Sequence, residues 1–222
     1  MPTKLSWSWW RRVVATEWLV LVVGSTAALA AFAELGEEIT EPGANLVDHA
    51  ARAWVLAHQS PVLVELAARI TRFGSAEATS IIAAAAAAWL WLRRHRWIAA
   101  AVTTAPALAT LAFTAFKQFF GRARPTGALA VNLHSFAFPS GHATASAAVW
   151  LSLAYCLWRE RILPIWAAAL IGFGWPILIG LTRVYLDVHW ATDVLGGWCL
   201  GAGIAAVTVA VYEQLLRERP AA

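Results

Sequence analysis

Charge is scarce in this 222-residue chain: Asp, Glu, Lys and Arg supply 14% of it and hydrophobic residues 60%, against about 25% and 45–50% in ordinary soluble domains. That poverty excludes a typical water-soluble enzyme, and the apolar richness excludes a disordered chain. Cysteine is almost missing. Cys156 and Cys199 lie inside apolar stretches without CxxC spacing, which excludes a disulfide framework and a zinc cluster and leaves them as packing residues. The 14 glycines follow no fixed period, so a fibrous chain is excluded as well. A net charge of +4 on so apolar a sequence gives no argument for nucleic acid as a partner. What the chain has in abundance is long apolar runs.

A helix crossing about 30 Å of hydrocarbon needs roughly 20 apolar residues. Six runs approach that length: Val13–Ala33, Ala76–Leu92, Trp97–Phe119, Ala143–Trp158, Leu163–Leu181 and Trp190–Leu215. Between the first two, Glu34 to Ser75 is more polar, and around Val62–Phe73 its apolar residues recur at helical spacing with Glu65, Arg69 and Arg72 on another face. That pattern predicts a helix lying at the membrane interface or packed on the bundle, not a seventh span. The six alanines Ala83–Ala88 suit close helix approach, and tryptophans near span ends, such as Trp9, Trp10, Trp97, Trp158 and Trp190, suit an interfacial belt. Pro176, beside Gly172 and Gly174, predicts a kink in the fifth span. The expected fold is all-α, a single domain over residues 1–222 built as a six-span membrane bundle with an interfacial helical segment.

Counting spans places the N-terminus, the second and fourth connections and the C-terminus on one side. Lys4, Arg11, Arg12, Arg93, Arg94, Arg96, Arg159, Arg161, Arg217 and Arg219 fall there, ten of the 17 basic residues. By the positive-inside rule both termini are cytoplasmic. A cleaved signal peptide over residues 1–33 is the competing reading, but its apolar core of about 20 residues exceeds the usual 7–15.

Three stretches break the apolar pattern, all on the opposite, extracytoplasmic side: Lys117–Pro125 (KQFFGRARP), Pro139–His142 (PSGH) and Thr182–Asp193 (TRVYLDVHWATD). Charge near a bilayer is costly, so such clustering points to function. Lys117 and Arg124 stand two helical turns apart if the helix persists, and Arg183 adds a third cation; two guanidinium forks and an ammonium suit a phosphoryl group. Ser140 is placed to cap the helix that follows, Gly141 to let the backbone approach, and the N–H groups of that helix start to hold anionic oxygens. His142 and His189 supply imidazoles active near neutral pH, and Asp193, four residues after His189, is spaced to orient it.

K-x6-RP, PSGH and R-x5-H-x3-D, in that order and spacing, resemble the signature of the type 2 phosphatidic acid phosphatase superfamily; Thr182 stands where the family usually has Ser. The resemblance implies a phosphohistidine mechanism with His189 as nucleophile, Asp193 as its partner and His142 as acid for the leaving group. It implies phosphate contacts from Lys117, Arg124, Ser140, Gly141 and Arg183, with no metal and no cofactor. It further implies an integral protein of a bacterial cell membrane acting on a phosphorylated lipid, undecaprenyl or another isoprenoid diphosphate first, phosphatidylglycerol phosphate or phosphatidate next. A lipid phosphotransferase using the same phosphohistidine and a non-enzymatic transporter or scaffold are the alternatives.

Each residue also has a plainer reading. Lys117 and Arg124 alone would be snorkelling cations, and His189 with Asp193 alone a structural i, i+4 pair. Arg122 is balanced between a lipid headgroup contact and a snorkelling surface role. Asp187 reads as structural, His134 as a solvated loop residue, and His49, His58 and His95 have no companions in the sequence. A zinc site from His134, His142, His189 and Asp193 is disfavoured because three cations aimed at one place repel a dication.

Overall fold

The computed structural model describes residues 22–40, 46–93, 95–127 and 133–217. Among these there is no strand. The helices are α1 (residues 22–38), α2 (Leu46–His58), α3 (Pro61–Thr71), α4 (Ala76–Leu92), α5 (Arg96–Phe120), α6 (Gly141–Arg159), α7 (Ile165–Ala169), α8 (Trp175–Tyr185) and α9 (Ala191–Arg217). The start of the expected first span, Lys4, Arg11, Arg12, Trp9, Trp10, Arg94 and Arg219 lie outside the described residues.

Sequence composition explains the arrangement. α6 is rich in Ala, Ser and Thr and is largely buried, because other helices rather than lipid surround it. α9 runs beside it in the same direction through Gly197 and Gly201: a Cβ at Gly201 would stand 2.6 Å from the Thr144 carbonyl oxygen and the Ala147 Cβ. Such small-residue contacts let two backbones pack closely. One apolar cluster joins Ala87, Leu90, Ile98, Val102, Val149 and Tyr212 away from the site; a second joins Phe32, Ala109, Phe138, Ala148 and Leu200 beneath it.

Among the described residues, three helices are long and apolar enough to cross a membrane: Arg96–Phe120, Ile165–Tyr185 and Ala191–Arg217. A fourth results if Pro61–Gly74 and Ala76–Leu92, bent by 53° at their junction, form one broken span. The third and last expected spans match the observed helices to within two residues at each end. The fifth is interrupted, as Pro176 predicted, by a π-helical turn at Leu170–Gly174; Pro lacks the N–H that would continue the α ladder. Ser60 and Ser75 cap α3 and α4 through their hydroxyls.

The segment between the first two spans holds more than the periodicity of Val62–Phe73 predicted. α3 is there, and α2 precedes it. Both pack on the bundle: Ala67 of α3 meets Leu186 and Val188, and Arg52 of α2 pairs with Asp187 at 2.8 Å. His95, without an evident companion in sequence, pairs with Glu160 at 3.3 Å.

Candidate active site

The end of α5, the segment before α6 and the α8–α9 turn converge on one point. Lys117, buried in the last turn of α5, donates to the carbonyls of Phe136 and Ala137. Gly121 then ends the helix at φ 59°, its N–H bonded to the Lys117 carbonyl, the left-handed cap that glycine adopts without penalty. The helix therefore does not persist to Arg124, and the expected two-turn alignment with Lys117 is not formed. Arg124 arrives from the loop. Its Nε and Nη2 donate to the Ser135 carbonyl (2.7 Å) and hydroxyl (2.9 Å), and its Nη1 to the Val188 carbonyl (2.6 Å).

Arg124 Nη1 also lies 3.0 Å from His189 Nε2. A guanidinium only donates, so Nε2 accepts and the ring proton belongs on Nδ1. Nδ1 in turn faces Asp193 Oδ2 at 3.2 Å. The i, i+4 spacing thus produces the expected orientation, with Nε2 as the nitrogen carrying a lone pair. Burial first, and then Arg124, Arg183 and Lys117, hold the His189 imidazole well below its ordinary value near 6.5, which keeps it neutral and nucleophilic at physiological pH.

Ser140 occupies the N-cap position of α6, but its hydroxyl makes no capping bond. Its N–H instead donates to the Asp193 carbonyl at 2.9 Å, tying PSGH to α9. Ser140 Oγ is buried without a partner among the described residues, and so is Arg183 Nε. Arg183 Nη1 donates to Thr71 Oγ1 of α3 at 3.0 Å. The other two such atoms are indole nitrogens of Trp150 and Trp175, whose rings lie 6.0 Å apart within the bundle. Gly141 opens α6 with the Phe113 ring 3.2 Å from where a Cβ would stand. His142, half-buried, is within electrostatic reach of Arg183, His189, Arg124 and Lys117.

Lys117, Arg124 and Arg183 share one property: none has a carboxylate within ion-pair distance among the described residues, and the bonds just given go to carbonyls, hydroxyls and an imidazole. Lys117 and Arg183 are buried and Arg124 is half-buried, and three bases gathered around a neutral imidazole have the chemistry that suits a multiply charged anion.

Arg122 has neither of the two surface roles considered for it. Its guanidinium is largely buried and bonds Asp193 Oδ1 (2.5 Å), Thr192 Oγ1 (2.7 Å) and Asp48 Oδ2 (2.6 Å). Asp48 itself was not singled out in the sequence. The helical periodicity of residues 46–58, with a lone carboxylate in its first turn, is the signal that could have found it. Asp187 is structural, as expected, through Arg52, and His134 is exposed.

Residues 99–217 match the model of the PAP2 superfamily. The chain belongs to the PAP2 superfamily. It is 31% identical over 176 residues to Phosphatidylglycerophosphatase B of Bacillus subtilis (strain 168), covering 76% of this chain and 84% of that protein. It is 33% identical over 94 residues to Undecaprenyl-diphosphatase of Sulfolobus acidocaldarius, covering 41% of each chain. The crystal structure of a transmembrane PAP2 type phosphatidylglycerolphosphate phosphatase from Bacillus subtilis superposes with a TM-score of 0.80 at 26% identity, covering 88% of this chain and 98% of that one. The match to the PAP2 superfamily takes in all three polar stretches, while α1, α2, α3 and α4 lie before it.

Proposed function

We propose that this membrane lipid phosphatase works through a phosphohistidine on His189. The observation that carries the reading is the set of three basic side chains around His189, Lys117 and Arg183 buried and Arg124 half-buried, with no carboxylate within ion-pair distance among the described residues. Leaving such charge unpaired costs several kcal/mol per ion even after relaxation, a cost that a bound phosphoryl group offsets.

In the first step Nε2 of His189 attacks phosphorus in line, the P–O bond to the lipid breaks, and His142 donates a proton to the leaving oxygen. The developing charge on the ring is stabilised by Asp193 through Nδ1. Lys117, Arg124 and Arg183, the free hydroxyl of Ser140 and the N–H groups at the Gly141 helix start hold the equatorial oxygens. Arg124 Nη1 exchanges its contact with Nε2 for one with a phosphoryl oxygen. In the second step water gives its proton to His142 and attacks phosphorus; the P–N bond breaks and inorganic phosphate leaves.

Phosphatidylglycerol phosphate is the first substrate in this proposal, supported by the relative that covers 84% of its own length. The isoprenoid diphosphate placed first from sequence is the second reading, supported by the shorter Sulfolobus match. An apolar groove of about 500 Å³ between α2, α3 and α8, lined by Trp54, Leu66, Ile70, Leu178 and Tyr185, flanks Arg183 in sequence and suits lipid chains. Purified protein is expected to release phosphate from one of these lipids without an acceptor alcohol, and His189→Ala and His142→Ala to lose that release; unchanged activity in both variants overturns the mechanism.

The proposal includes six spans formed by α1, the bent α3–α4 pair, α5, α6, α7–α8 and α9, in a bacterial cell membrane with cytoplasmic termini and the site outside. Single cysteines at the C-terminus and beside Thr126 then label from opposite sides, and labelling from the same side contradicts that topology.

A further inference from the structure

We infer that Asp48, acting through Arg122, is a positioning residue for the Asp193–His189 pair, which makes α2 part of the apparatus that aims the nucleophile. The inference rests on the proposed role of His189. Asp48 lies outside the stretch matched by the family model, 145 positions before Asp193 in the numbering, yet the two carboxylates share one guanidinium.

The geometry fixes Asp193 from both sides. Its Oδ1 accepts from Arg122, and its Oδ2 accepts from the Trp190 N–H at 2.9 Å as well as from His189 Nδ1. Rotating that carboxylate breaks bonds on both oxygens at once. Arg122 is itself fixed by Asp48, whose Oδ1 takes the Thr192 N–H at 2.9 Å and whose Oδ2 takes the Thr192 hydroxyl at 2.7 Å. The side chains of Asp48 and Asp193 are both fully buried. The guanidinium groups of Arg52 and Arg122 both stand over the Trp190 ring, 5.8 and 5.7 Å from its centre.

Charge explains why a second carboxylate is needed. Arg122 paired with Asp193 alone would neutralise the group meant to stabilise a positive ring on His189. With Asp48 included, the Asp48–Arg122–Asp193 triad carries a net charge of −1, which returns to Asp193 the ability to support the phosphorylated imidazolium. Asp48 touches neither His189 nor the space beside Nε2 in any recorded bond, so its effect passes through Arg122 and Thr192.

The test uses full-length protein in detergent and whichever of the two lipids, phosphatidylglycerol phosphate or an isoprenoid diphosphate, the wild-type protein hydrolyses. Asp48→Asn lowers kcat by about tenfold or more, the usual scale for a buried group that orients a reacting one. KM and the inhibition constant of inorganic phosphate stay within about threefold, because the oxygens are held by other residues. Arg122→Lys, which keeps the charge but loses the fork, behaves alike, and combining Asp48→Asn with Arg122→Lys adds little to either alone. If Asp48→Asn does not fold, Arg122→Lys decides the matter by the same split. Unchanged kcat in a folded variant, or a loss of kcat matched by weaker phosphate binding, overturns the inference. The reading of the site fails separately, when wild-type protein releases no phosphate from any lipid tried.

Discussion

At the two ends of α6, about 28 Å apart by the 1.5 Å rise of its 19 residues, charged side chains are buried in opposite ways. At the far end both described acids have partners: Arg159 and Tyr155 bond Glu213 at 3.0 and 3.1 Å, and Tyr212 and His95 meet Glu160 at 2.6 and 3.3 Å. At the near end Lys117, Arg124 and Arg183 have no carboxylate within ion-pair distance, and Ser140 Oγ and Arg183 Nε no hydrogen-bond partner, among the described residues. Charges are paired within the protein at one end; at the other, the proposed phosphoryl group would supply the partner. Within the near end the same contrast recurs, because the Asp48–Arg122–Asp193 network is internally satisfied while the cations beside it are not.

The comparison breaks most visibly under charge removal. Arg183→Ala is expected to lower kcat/KM by about 100-fold or more, the scale of a lost oxyanion donor, and Arg124→Ala likewise. Glu213→Gln at the far end is expected to leave kcat/KM within about twofold, since distant sites act independently. It lowers Tm instead, by about 2–4 °C for each kcal/mol lost. Enzyme assays and thermal melts on the same preparations check both; equal activity losses at the two ends would erase the distinction.

A smaller effect sharpens it. Ser140→Ala removes a hydroxyl that is buried without a partner, so Tm holds or rises while kcat/KM falls about tenfold. Ser152→Ala, whose hydroxyl already bonds the Ala148 carbonyl at 2.6 Å, leaves activity unchanged. A drop in Tm for Ser140→Ala, with activity intact, would show the hydroxyl to be structural.

Much of this was readable in the sequence. Apolar run length marked the helices, and Pro176 marked the break in the fifth, because both depend on local chain chemistry. The three polar stretches announced themselves by interrupting that pattern, and the structure brings Arg124 and His189 into contact as their shared chemistry required. What escaped depends on partners far apart in the chain. Arg122 looked like a boundary cation until Asp48 and Asp193 were placed on either side of it, and His95 looked solitary until Glu160 was. The Ser140 hydroxyl illustrates the reverse error. Its position is that of a cap, but capping is a bond, and here the bond is not made.

The most direct test is to find the phosphorus. Purified protein mixed briefly with labelled lipid substrate and quenched in alkali, which preserves phosphoramidates, should carry label on the peptide containing His189. Label there, absent in His189→Ala, is the predicted result. Turnover by His189→Ala, or label on another residue of the active wild-type protein, would contradict the account.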